Sequence, residues 1–357
     1  MIDPRWEQLA AVLVGHSTAV RPGDRVLITM METGTYPLAR AVHAAAVRAG
    51  GLPQIEFQSA AIERDLLLLG SGEQAGWIPE MQKKGMEWAD VSIGLRGAAN
   101  PHELEEVPAA RIAARRHALG TVSAMRTERT RWVIVRVPGP ALAQAAGMSV
   151  DGLEALFFAA CLRDWAGERR RLEAAAGLFA GAREVRIAGR GTDLRLSIAG
   201  RSWMIDDGRI NMPGGEIATC PVEDAVEGEI SFEQPAVFAG RAIPGIRLRF
   251  ERGLAVEARA ERHEDLLLSL LDVDEGARRV GELGIGMNPA IDRFCGDLFY
   301  DEKIAGTAHI ALGRSYAECG GRNRSSLHWD IVKDLRGEGA IYADGRKVFE
   351  AGRFTSR

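Results

Sequence analysis

Residues 184–201 read EVRIAGRGTDLRLSIAGR. Apolar and polar side chains alternate on both sides of Gly189-Arg190-Gly191, with Val185 and Ile187 before the turn and Leu194, Leu196 and Ile198 after it. Period two around a glycine-framed turn predicts a β-hairpin with one face buried and one in water. Farther along, EGEISFEQPAVF and IRLRFERGLAVEARA repeat the alternation. The second half of the chain is therefore expected to be antiparallel and β-rich. One helix is expected to interrupt it, over about 263–282 (HEDLLLSLLDVDEGARRVGE).

Upstream the period is different. DRVLITM (24–30), LPQIEFQS (52–59), ADVSIGLRG (89–97) and RWVIVRVPG (131–139) are short apolar runs of the kind that form buried strands. Helical patterns such as YPLARAVHAAAVRAGG (36–51) and AARIAARRHALG (109–120) separate them. Strands alternating with helices predict right-handed crossovers and a mostly parallel sheet. No GxGxxG follows the first strand, so the dinucleotide fingerprint is absent. A long helical segment over roughly 150–180 closes this half. The expected organisation is an N-terminal α/β domain over 1–180 and a C-terminal domain over 181–357. Two domains also suit a length of 357 residues.

The net charge of −4 argues against a general nucleic-acid or anionic-membrane surface. Arginine clusters at 114–117 and 168–172 fall in helical patterns and read as solvated faces. The N-terminus lacks a basic segment followed by an apolar run, so no signal peptide is expected. Apolar runs such as LEALFFAACL (153–162) are too short to span a bilayer. Cys161, Cys220, Cys295 and Cys319 have no CxxC spacing, which suits reduced thiols in a cytoplasmic protein.

Metal-capable groups concentrate near the C-terminus. In HIALGRSYAECGGRNRSSLHWD (309–330), His328 and Asp330 are two apart, so on a strand they share a face. An imidazole and a carboxylate side by side suit a divalent transition metal. His309 lies in an apolar run that predicts a buried strand. Tyr316 offers a phenolic oxygen to a metal or a developing oxyanion. Glycines at 320 and 321 let the chain turn back between the two histidine segments. Glu216 sits in NMPGGEIATCP, a proline- and glycine-framed loop before a strand. Glu282 is expected at the end of the interrupting helix, where the macrodipole disfavours a carboxylate unless a cation compensates. Two imidazoles, three carboxylates and a phenol exceed the three protein ligands of one catalytic zinc. Such a set suits a pair of divalent ions and a metal-activated water.

The segments GRGTDLRLSI (189–198), NMPGGEIATCP (211–221), VEGEISF (226–232), DEGARRVGELGIGMN (274–288), LFYDEKIAGTAHIALGRSY (298–316) and GGRNRSSLHWDIV (320–332) together resemble the aminopeptidase T / aminopeptidase S / PepS family of dinuclear metalloaminopeptidases. They cover most of 185–335; the first half resembles the family in length and strand–helix order. The resemblance implies two divalent ions per chain (Zn, Co or Mn) held by Glu216, Glu282, His309, Tyr316, His328 and Asp330. It further implies removal of N-terminal residues from short peptides, with Glu216 or Glu282 as the base. An antiparallel, barrel-like sheet in the C-terminal domain, an enclosed cavity and a homodimer are implied with it. The loop between Tyr316 and His328 is shorter than in some relatives, which bears on substrate choice. Dihydroxypyridine dioxygenases are similar to the same scaffold and define the rival, a single Fe(II) on His309, His328 and Asp330. Glu216 and Glu282 are the residues that separate the two expectations.

Overall fold

The computed structural model describes residues 3–238 and 240–355. The chain forms two compact units, one running to Arg163 and taking in Gly208–Gly214, the other comprising Asp164–Asp207 and Gly215 onward.

In the first unit the strands Leu52–Gln58, Arg25–Met31, Val91–Arg96 and Arg131–Arg136 lie side by side in that order, all parallel, with the short Asn211–Met212 added at the end. Val26 and Ile28, Val91 and Ile93, Val133 and Val135 are wholly buried. That is the pattern of a sheet covered by its crossover helices. Helix Tyr36–Arg48 turns Leu38, Ala39, Val42 and Ala46 to one side, the stripe that packs it down.

The helical segment expected as continuous over 150–180 is two helices, Val150–Cys161 and Trp165–Gly177. Asp164 breaks it, because its carboxylate accepts from the Gly167 N–H at 3.1 Å and caps a new start. The second of these helices places Leu172 and Ala175 in the core of the second unit. The compact division thus falls before this helix, whereas the sequence reading places its boundary after it.

The second unit is antiparallel throughout its two main sheets. Glu184–Gly189 and Thr192–Ser197 form the expected hairpin, with Val185, Ile187, Leu194 and Leu196 wholly buried. They belong to an eight-stranded sheet. A five-stranded sheet runs His328–Asp334, Thr307–Gly313, Val280–Gly286, Glu216–Thr219, Met204–Asp206. One apolar core takes side chains from both, among them Ile187 and Leu248 from the larger sheet and Ile285, Ile310 and Ile331 from the smaller.

One expected element is corrected here. The interrupting helix is only Glu264–Leu271, and Glu282 lies inside strand Val280–Gly286. The helical leucine pattern stops at Leu271, and beyond Asp272–Arg279 the stretch Val-Gly-Glu-Leu-Gly-Ile-Gly (280–286) holds three glycines that weaken any helix there. The macrodipole reason for attention to Glu282 therefore falls away. Among the described residues, no helix is long and apolar enough to cross a membrane. All four cysteines are free and buried.

Candidate metal centre

Register in the five-stranded sheet decides what meets what. Gly286 pairs with Glu216, Gly284 with both Ala218 and His309, Glu282 with Ala311, Ala311 with Asp330, and Gly313 with His328. Directly opposed residues share a face. Glu216, Glu282, His309, His328 and Asp330 consequently project from one side of the sheet, and Asp206, opposite Glu216, joins them. The intervening positions Ile217, Leu283, Ile285, Ile310, Leu312, Trp329 and Ile331 point the other way into the apolar core. Small residues between the ligand candidates make the room: a Cβ on Gly284 would lie 2.0 Å from His309 Nε2.

The six residues singled out from the sequence form one connected cluster. His309 Nε2 is 3.6 Å from Glu216 Oε2 and 3.8 Å from Glu282 Oε1. His328 Nε2 is 3.3 Å from Glu282 Oε2, 3.6 Å from Asp330 Oδ2 and 3.2 Å from the Tyr316 hydroxyl. His328 Nδ1 lies 2.8 Å from the Arg314 carbonyl, which can only accept, so Nδ1 carries the proton. The Nε2 side of the ring then faces the carboxylates, the orientation a metal-ligating histidine needs once its second proton is released. Cys220 fixes the tyrosine: its sulfur accepts from the Tyr316 N–H at 3.2 Å.

Three residues outside the expected set complete the cluster. Lys303, fully buried, places Nζ 2.6 Å from Glu216 Oε1, 2.7 Å from Glu302 Oε1 and 3.4 Å from Asp206 Oδ2. In the sequence DEK (301–303) looks like an ordinary solvated charge run, so nothing local marks it. Its only signal is position, in the turn between the short helix Leu298–Asp301 and the His309 strand.

Electrostatics follow from this crowding of acids. Burial pushes both imidazoles down, yet the neighbouring carboxylates prevail and hold His309 at about 9 and His328 at about 10. Glu282 and burial together raise the Tyr316 phenol well above its usual value, so it stays a donor. Burial pushes Glu302 up to about 8. Lys303, despite burial, is kept firmly charged by Glu216, Glu302 and Asp206.

The donor set fits divalent metal. Ligand atoms of Glu216, Glu302 and His309 lie within 4.8 Å of one another, as do those of Glu282, His309 and Asp330. Glu216 Oε2, His309 Nδ1 and Asp330 Oδ1 are buried with no hydrogen-bond partner. Buried polar atoms are rarely left in that state. Five carboxylates and one ammonium give the cluster a formal charge of −4 with the imidazoles neutral. A buried, acid-rich cluster of imidazole and carboxylate is chemistry for a divalent cation.

Comparison with known proteins agrees with that chemistry. A family model described as thermophilic metalloprotease (M29) matches residues 2–354. The chain belongs to this peptidase family and is a metal-dependent hydrolase. With aminopeptidase T of Thermus aquaticus it is 31% identical, over 76% of this chain and 78% of that protein. The structure of wild-type AmpT from Thermus thermophilus matches with a TM-score of 0.87 at 27% identity, covering 99% of both chains. A 2,5-dihydroxypyridine dioxygenase from Pseudomonas putida KT2440 shares the fold, with a TM-score of 0.66 and 16% identity over 99% of this chain and 97% of that one. The family expected from the motif segments is the family found.

Proposed function

We propose that this chain is an aminopeptidase that removes N-terminal residues from short peptides, using two divalent ions (Zn, Co or Mn) held by Glu216, Glu282, His309, Tyr316, His328 and Asp330. The observation that carries the reading is the charge of the cluster. With the imidazoles neutral and all five acids ionised, the state that ligation requires, two divalent ions would cancel a formal −4, whereas one would leave −2 buried, and an uncompensated buried charge is expensive. When bound, such a pair supplies Lewis-acid polarisation of a carbonyl and acidification of a water. The protein's own part is positional. Lys303 holds one oxygen of Glu216 and leaves the other turned to His309. Glu216 or Glu282 takes up the proton of the attacking water, with Glu302 as a third candidate that the sequence reading lacked. Tyr316, kept protonated, donates to the oxygen that gains charge. The same reading makes the two antiparallel sheets the wall of a barrel-like enclosure and the working protein a cytoplasmic homodimer.

The rival is a ring-cleaving dioxygenase with one Fe(II) on His309, His328 and Asp330. Glu216 and Glu282, both within 4 Å of an imidazole nitrogen, favour hydrolysis, since a 2-His-1-carboxylate iron has no use for them. Metal counting separates the two. After chelation the protein should cleave no aminoacyl amide, and re-addition of Zn, Co or Mn should restore cleavage as occupancy approaches two ions per chain. Full function at one iron, with oxygen uptake, would establish the rival.

Metal binding should also depend steeply on pH. An imidazole must lose its proton to ligate, and in the ion-free protein His309 and His328 hold theirs up to about 9 and 10. Raising the pH therefore strengthens binding, up to about tenfold per pH unit for each released proton, or roughly 10²-fold per unit below pH 9. Calorimetric titration between pH 6 and 8 in buffers of different ionisation enthalpy reads this directly. An affinity flat over that range would mean that neither imidazole is a ligand.

A further inference from the structure

A small recess opens beside Asp330, and it lies on the same face of the sheet as the metal cluster. Asp330 and Val332 line it from the edge strand, two residues apart and so pointing the same way. Val237 contributes from the short hairpin strand Ala236–Phe238, and Phe294 and Leu298 contribute from the loop and helix before the His309 strand. The loop wall is pinned: the Asp301 carboxylate accepts from the Cys295 N–H at 2.6 Å and the Gly296 N–H at 3.0 Å. Val237 is 41% exposed, an apolar side chain left at the rim. The recess volume is about 30 Å³. That is space for roughly two water-sized groups, hence for two or three carbon atoms.

The recess is lined mostly by apolar side chains and also carries the buried carboxylates of Asp301 and Asp330, so it is shaped for a group that is apolar and joined to a cation. The N-terminal residue of a peptide is such a group, with a side chain on the carbon that bears the ammonium. Resting on the aminopeptidase reading, we infer that this recess receives the side chain of the substrate's N-terminal residue and restricts it to small apolar types, alanine to valine. Phe294 is the largest side chain of the lining and Val237 stands at its exposed rim, so these two limit the size of what can enter. Both are specificity-determining positions that are not themselves metal-ligand candidates.

The test uses the metal-loaded protein and a series of aminoacyl p-nitroanilides: glycyl, alanyl, valyl, leucyl and phenylalanyl. The wild type should favour alanyl and valyl over phenylalanyl by tenfold or more in kcat/KM. Phe294→Ala should raise the phenylalanyl-to-alanyl ratio at least tenfold, the scale on which pocket size discriminates side chains. Val237→Trp, a change at the exposed rim that a folded protein accommodates, should lower the valyl-to-glycyl ratio by a similar factor. It keeps the inference testable if the first variant fails to fold. Ratios unchanged in a folded variant with wild-type metal content would overturn the recess assignment and leave the aminopeptidase reading standing. A metal-loaded wild type that cleaves none of the five would overturn that reading, and the recess assignment with it.

Discussion

His309→Ala should eliminate chelator-sensitive cleavage of aminoacyl amides, with kcat/KM falling by at least about 10³-fold, or roughly 4 kcal/mol of transition-state stabilisation. The expected effect is this large because His309 belongs to both groups of converging ligand atoms, one with Glu216 and Glu302, the other with Glu282 and Asp330. Its imidazole, 1% exposed, stands between carboxylates of three different strands. Without it, neither group keeps its nitrogen donor from this strand, and the acids face one another with no imidazole between them. Metal content should fall together with activity, so elemental analysis of the purified variant is the second readout. Circular dichroism should retain the wild-type signal, because residues on the opposite face of the same strand, Ile310 and Leu312, hold it in the core. Asp330→Ala should behave in the same way. A variant at either position with full activity and full metal content would remove the proposed centre.

Gly284→Ala should be nearly as damaging, though glycine offers no ligand. Gly284 is the cross-strand partner of His309, and a methyl there would lie 2.0 Å from Nε2 and 2.1 Å from Cε1 of the imidazole. These atoms cannot coexist at that distance, and the ring, buried on all sides, has nowhere to go without leaving its donors. The substitution should lower stability by about 1–3 kcal/mol through overpacking, and it should reduce metal affinity at least tenfold. Gly120→Ala is the control, since that helical glycine has open space around its Cα and should gain stability by about 0.5–1 kcal/mol. Thermal melts with and without added metal give both quantities. If Gly284→Ala binds metal like the wild type, the imidazole is not held where this register puts it.

The sequence made much of this legible, for local reasons. Period two in the hairpin at 184–201 and apolar runs split by helical stripes upstream are short-range patterns, and they report strand type and sheet direction faithfully. The helix after 263 is shorter than expected: leucine spacing marks where it runs, up to Leu271, whereas the strand Val280–Gly286 beyond it is placed by what its glycines must approach. Gly281, Gly284 and Gly286 are there because a carbonyl of residue 313, the His309 ring and a carbonyl of residue 304 come too close for any side chain. None of those neighbours is nearby in sequence.

Lys303 and Glu302 illustrate the same boundary. Lys303 and Glu216 stand 87 positions apart in the chain, and no periodicity in either segment records that they touch. Local pattern fixed which residues are polar within apolar strands, and therefore which side of its own strand each one faces. What lies across from them was settled only by strand order and register in the folded sheet. Pairing between distant strands is a non-local event, and a carboxylate beside an ammonium in a dry interior is a different chemical group from the same carboxylate in water.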